Sequence, residues 1–119
     1  MKQFVRYQDH CEIGYGEIIE KYIQPLTGNF LDPRSTYSGV PILMGSVKLL
    51  APVIPPNILA IGLNYQEHSE ETKIPTTEKP LIFLKATSSL ANPNDNIILP
   101  AIAPYEVDYE GELAIVIGK

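Results

Sequence analysis

A chain of 119 residues has room for one modest domain or a portion of a larger one, and 45% hydrophobic with 19% charged residues is the balance of a folding globular protein. A net charge of −5 and the lack of any run of basic residues exclude a nucleic-acid partner, because phosphate binding needs clustered Lys and Arg. The lone Cys11 excludes an internal disulfide, the opening MKQFVRYQDH lacks a secretory h-region, and Pro52, Pro55 and Pro56 break the most apolar stretch. We therefore expect a soluble cytoplasmic protein with no membrane contact.

Eleven prolines cut the chain into short segments and argue against long helices. Residues 2–8 mix β-branched and aromatic side chains, as strands do. Residues 11–23 carry Ile13, Tyr15, Ile18, Ile19, Tyr22 and Ile23 around Gly14 and Gly16, which fits a bent hairpin better than a helix. Residues 27–40 are rich in turn formers and read as a loop. A strand is expected over 46–53, and Pro55-Pro56 marks a junction at about 52–57. We assign 1–54 to a small N-terminal β domain and 55–119 to the start of a second domain.

The second half begins with 58–62 (ILAIG), a short apolar run of the buried-strand kind. The polar stretch after it pairs Asn64 with Glu67 three residues on, a relative of the capping box, and predicts a short helix. Residues 73–80 read as loop, 81–85 (LIFLK) as strand, 92–95 (NPND) as turn, 96–99 as a short strand and 100–104 as a connector. Residues 105–118 alternate strongly enough to predict a final strand. The fold class is mainly β with a short helix, in the α+β class.

That last segment carries the most chemistry. On a strand, Asp108, Glu110 and Glu112 share one face, while Val107, Tyr109, Leu113, Ile115 and Ile117 form an apolar face opposite. Successive acids then stand roughly 6–7 Å apart and repel one another unless water or a cation screens them. A hard divalent cation prefers such oxygen donors. A solvated acidic face on an edge strand is the alternative, and spacing alone does not decide between the two.

On a helix His68 and a glutamate three residues on, Glu71, are neighbours, so the carboxylate can orient the imidazole for proton transfer near neutral pH. A surface His–Glu contact is the plainer reading, and Glu67 and Glu70 also neighbour the histidine. Lys85, ending an apolar strand, is placed either to meet a substrate carboxylate or simply to be solvated. No phosphate loop, serine elbow or zinc-type Cys/His cluster is present.

Taken in order, the pieces VKLLAPVIPPNILAIGLNYQEHSEE, PLIFLKATSSL, IILP and VDYEGELAIVIGK resemble the fumarylacetoacetate hydrolase superfamily over residues 47–119. The N-terminal unit resembles the small β domain that precedes the catalytic domain in many bacterial members. The resemblance implies a mixed β-roll and a Mg²⁺ or Mn²⁺ ion, with Ca²⁺ able to substitute. The ion's ligands would be the E-x-E pair Glu110 and Glu112, with Asp108 adjacent and a third ligand expected beyond Lys119. It also selects Glu71 as the partner of His68 and puts Lys85 at the border of the site.

The implied chemistry is C–C bond hydrolysis in a 2-oxo acid of the acylpyruvate or fumarylacetoacetate type, with water activated by the His68–Glu71 dyad. The same chemistry class includes decarboxylases and isomerases of 2-oxo and 2-hydroxy-dienedioic acids. The expected partners are a small 2-oxo acid and a second copy in a homodimer. A binding or interaction module without catalysis is the competing class.

Overall fold

The computed structural model describes residues 1–65 and 79–118. Strand dominates, as expected. The described residues form β1 (Phe4–Asp9), β2 (Glu12–Ile19), β3 (Tyr22–Pro25), β4 (Ile42–Leu43), β5 (Lys48–Leu50), β6 (Ile58–Gly62) and β7 (Leu81–Lys85). Two single turns of 3₁₀ helix, Met44–Ser46 and Thr87–Ser89, accompany them. The chain divides into two units, one made of Met1–Pro52 and the residues from Asn92 onward, the other of Val53–Ala91.

The first unit is built on an antiparallel sheet in the order β4-β3-β2-β1-β5. Two tight hairpins make its centre. Asp9 pairs with Glu12 across His10-Cys11, and Ile19 pairs with Tyr22 across Glu20-Lys21. The first residue of each two-residue loop is left-handed, His10 at φ 52° and Glu20 at φ 56°, as hairpin turns matched to strand twist require. Between them the predicted bent hairpin over 11–23 is realised as β2, its turn and the start of β3.

Register then decides which side chains share a face. Tyr7 lies opposite Gly14, and a methyl group on Gly14 would come 2.6 Å from the Tyr7 ring. On the same side of β2, Gly16 leaves room for Ile23, which is completely buried. The two glycines therefore let larger side chains cross the strand and close this side of the sheet. The opposite face carries Phe4, Tyr15 and Glu17, and Phe30 from the 27–40 loop covers it. Phe30 stacks on Phe4 at 5.4 Å and meets Tyr15 edge-on at 5.8 Å. Tyr37 and Lys2 both reach Glu17, joining the loop and the N-terminus to the sheet.

The strand expected over 46–53 is confined to Lys48–Leu50. Its start is taken by the 3₁₀ turn, where Ser46 Oγ donates to the Leu43 carbonyl at 2.8 Å. In the second unit, β6 and β7 form an antiparallel ribbon running from Ile58↔Lys85 to Gly62↔Leu81. Leu63 follows β6 with a left-handed φ of 53°, which ends the strand. The short helix expected after Asn64 lies outside the described residues.

Two expected strands do not form. Residues 96–99 belong to no sheet, and 105–118 are without regular structure. Alternating side chains state only which face would be buried; a strand also needs a neighbouring backbone to accept its ladder of hydrogen bonds. The segment instead leaves two successive turns, Ala103 N–H to the Pro100 carbonyl and Glu106 N–H to the Ala103 carbonyl, and runs on irregularly.

Candidate functional site

The acidic residues follow from that irregular segment. Asp108, Glu110 and Glu112 are all exposed, so the expected recess is absent among the described residues. The apolar face expected opposite them is exposed too, Leu113 at 81% and Ile117 at 86%. The physical reason is the missing ladder: without a fixed pleat, neither face is held toward a core.

As oxygen donors the three acids suit a hard cation, which meets the chemical requirement for Mg²⁺ or Mn²⁺. Geometry adds nothing to this yet. Among the described residues, no three His, Cys, Asp or Glu side chains group closely enough to hold a metal ion. His68, with Glu67, Glu70 and Glu71, lies outside the described residues. Lys85 ends β7, exposed, with its ammonium 5.9 Å above the Phe83 ring centre.

What the structure does fix is the start of the acid-bearing segment. Asn92-Pro93-Asn94-Asp95 is the expected turn: Pro93 supplies a fixed φ, Asn94 is left-handed at φ 64°, and Asp95 N–H reaches the Asn92 carbonyl at 3.1 Å. Inside the turn, the Asp95 carboxylate accepts from the Asn92 backbone N–H at 3.0 Å and from its side-chain amide at 2.7 Å. Outside it, Asn92 Oδ1 accepts the Ala51 N–H at 3.0 Å and Lys48 Nζ reaches Asp95 at 3.2 Å. These two contacts sit at the start of β5 and just past its end. The hydrogen bonds from Asn92, backbone first and then side chain, together with Lys48, hold the Asp95 carboxyl below the usual aspartate value. The turn was legible as Asn-Pro-Asn-Asp, but its seat on β5, 41 to 47 residues away, left no signal in the sequence.

Comparison with known proteins gives this geometry its context. Residues 57–119 match the family described as fumarylacetoacetate (FAA) hydrolase C-terminal, more than half of the chain. The chain belongs to this family.

Its relatives include enzymes. The chain is 44% identical over 88 residues to the mitochondrial oxaloacetate tautomerase FAHD2A of Bos taurus, covering 72% of this chain and 28% of the bovine protein. An uncharacterized protein of Archaeoglobus fulgidus is 45% identical over 83 residues, 70% of this chain and 33% of that protein. The solved structure of an uncharacterized protein from Mycobacterium abscessus superposes with a TM-score of 0.59 at 25% identity, over 75% of this chain and 34% of that one. This FAA hydrolase family member thus spans about a third or less of the relatives it matches.

One expectation is overturned. The bovine and human oxaloacetate tautomerases similar to this chain are mitochondrial, which conflicts with the purely cytoplasmic placement. Organelle import depends on a different kind of segment from the apolar core that directs secretion, so the expectation had no bearing on it.

Proposed function

We propose that the protein acts on a small 2-oxo dicarboxylic acid and interconverts its keto and enol forms. The observation that carries this reading is 42–44% identity over 88 residues to proteins named oxaloacetate tautomerases. Tautomerisation is redox-neutral: the carbon next to the ketone gives up a proton and the 2-oxo oxygen gains one. The protein's task is to move that proton and to steady the negative charge that develops on oxygen.

His68, oriented by Glu71, is the group in this chain suited to the transfer. An imidazole nitrogen takes the carbon-bound proton and the same ring returns a proton to the oxygen. Lys85 supplies a positive charge for a substrate carboxylate. A Mg²⁺ or Mn²⁺ ion, when bound, supplies electrostatic stabilisation of the enolate oxygen, and Glu110 and Glu112 are the residues that would hold it.

The alternative is hydrolysis of an acylpyruvate C–C bond, favoured by the presence in one sequence of His68 with Glu71 and of the E-x-E pair. There His68 would take its proton from water instead of carbon. One assay separates the readings. The purified protein is given the enol of oxaloacetate, and the decay of its ultraviolet absorbance is followed beside acylpyruvate cleavage and CO₂ release. Faster ketonisation alone supports the tautomerase reading. Acylpyruvate cleavage without faster ketonisation replaces it with the hydrolase, and CO₂ release with the decarboxylase. Inactivity in all three leaves the non-catalytic class.

A further inference from the structure

The N-terminal unit holds a cleft of about 370 Å³ where the 27–40 loop covers β1 and β2. Phe4 and Phe30, stacked at 5.4 Å, and Leu26 give it apolar walls, the usual lining of a small-molecule site. Three of its polar groups meet one another. The Tyr37 hydroxyl gives its hydrogen to Glu17 Oε2, which leaves the phenol oxygen with lone pairs only. Lys2 Nζ donates to both, at 3.2 Å to Oε2 and 2.9 Å to the Tyr37 oxygen. Glu17 Oε1 takes no hydrogen bond among the described residues. Glu17 is buried, whereas the Lys2 side chain keeps 63% of its exposure. The carboxylate is thus a fixed part of the wall, and the ammonium on it is loosely held, as in other ion pairs open to solvent.

We propose that this cleft binds a small organic amine, whose ammonium group displaces that of Lys2 from Glu17 and Tyr37 while its apolar body lies against Phe4, Phe30 and Leu26. Lys2 names the chemistry, because the chain's own ammonium shows which charge these acceptors select. An ammonium carries three donors and no acceptor, which matches two carboxylate oxygens and a phenol oxygen whose hydrogen is already engaged. A carboxylate ligand of the same size meets repulsion from Glu17 in the same place.

The test is calorimetric titration of the purified protein with 2-phenylethylamine. Two control ligands run beside it: 3-phenylpropanoate, which keeps the ring and reverses the charge, and ethylamine, which lacks the ring. Saturable binding of phenylethylamine is expected, with ethylamine weaker and phenylpropanoate not bound. Glu17→Gln should weaken the amine roughly tenfold or more, the usual effect of losing a charge-assisted hydrogen bond. Lys2→Ala should tighten it roughly two- to sixfold, because a solvent-exposed ion pair fills the site only part of the time. A purely structural Lys2–Glu17 pair does not give that sign. Failure of phenylethylamine to bind either the parent or Lys2→Ala overturns the proposal. So does equal binding of phenylpropanoate, the mark of a merely apolar cleft, or an amine affinity that Lys2→Ala leaves unchanged or weakens. Should Glu17→Gln fail to fold, Lys2→Ala and phenylpropanoate still decide, since both leave Glu17 in place.

Discussion

Tyr37 donates its hydroxyl hydrogen to the carboxylate of Glu17, a side chain on β2 that retains only 11% of its exposure. Lys2 joins both partners, reaching Glu17 at 3.2 Å and the Tyr37 oxygen at 2.9 Å. Three distant stretches of chain meet at one carboxylate.

This contact sets an acid limit for the N-terminal unit. The Tyr37 hydrogen bond is the largest influence and holds the Glu17 carboxyl below its ordinary 4.5; burial opposes it and Lys2 adds to it. A depressed carboxylate contributes stability that is fully present above the unfolded value and is lost as pH falls through the lower folded one. Tyr37→Phe should therefore shift acid unfolding to higher pH while Glu17→Gln flattens the dependence. Melting temperatures recorded across the acid range check both, and an unchanged profile in Tyr37→Phe refutes the assignment.

Gly16 is a steric requirement. A methyl group there would meet Ile23 and approach the Gln24 carbonyl oxygen to 2.8 Å, and that backbone atom cannot swing aside. Gly16→Ala should cost roughly 1–3 kcal/mol, the usual cost of overpacking. Gly45→Ala, with nothing within 4 Å of the new methyl group, is the control and should be close to neutral. Urea unfolding of the two variants beside the parent measures the contrast.

For the metal, Glu110→Gln and Glu112→Gln should each weaken Mn²⁺ or Mg²⁺ roughly tenfold or more, about 1.4 kcal/mol. Asp108→Asn should weaken it less. Calorimetric titration ranks the three, and equal effects at all positions would point to general charge attraction in place of coordination.

For the chemistry, His68→Ala should lower kcat by roughly 10²–10⁴-fold, the usual range for losing a positioned base, while metal affinity stays the same. Glu71→Gln should cost less, because an imidazole without its orienting carboxylate still accepts protons. Turnover and metal titration of the same preparations decide the matter. Undiminished turnover in His68→Ala removes the residue from the mechanism.

Local signals in the sequence were reliable where the element is itself local. The runs ILAIG and LIFLK are β6 and β7 to the residue, and Asn92-Pro93-Asn94-Asp95 is a turn because each of its residues suits its own backbone angles. Gly14 and Gly16 marked a hairpin that could bend. The final strand over 105–118 was misjudged for the opposite reason. Its alternation is real, but the partner that would turn alternation into a strand is not encoded in the segment. Asp108, Glu110 and Glu112 could thus be named only as candidate donors from the sequence, and the structure leaves them exposed on an irregular segment. The Lys48–Asp95 and Asn92–Ala51 contacts stayed hidden because a single side chain reaching a strand end leaves no periodicity to detect.

The β6–β7 ribbon has a consequence for how this protein behaves at high concentration. Leu59, Ile82 and Leu84 are exposed at 66%, 58% and 69%, on an element whose outer edges meet no third strand among the described residues. Such an element is a template for a second strand from any neighbouring molecule. The sequence brackets it, with Lys79-Pro80 before Leu81 and Lys85 after Leu84. Charges and prolines at the ends of an apolar run act as gatekeepers against fibre-like pairing. Lys85 then serves colloidal stability, and replacing it should show first as turbidity.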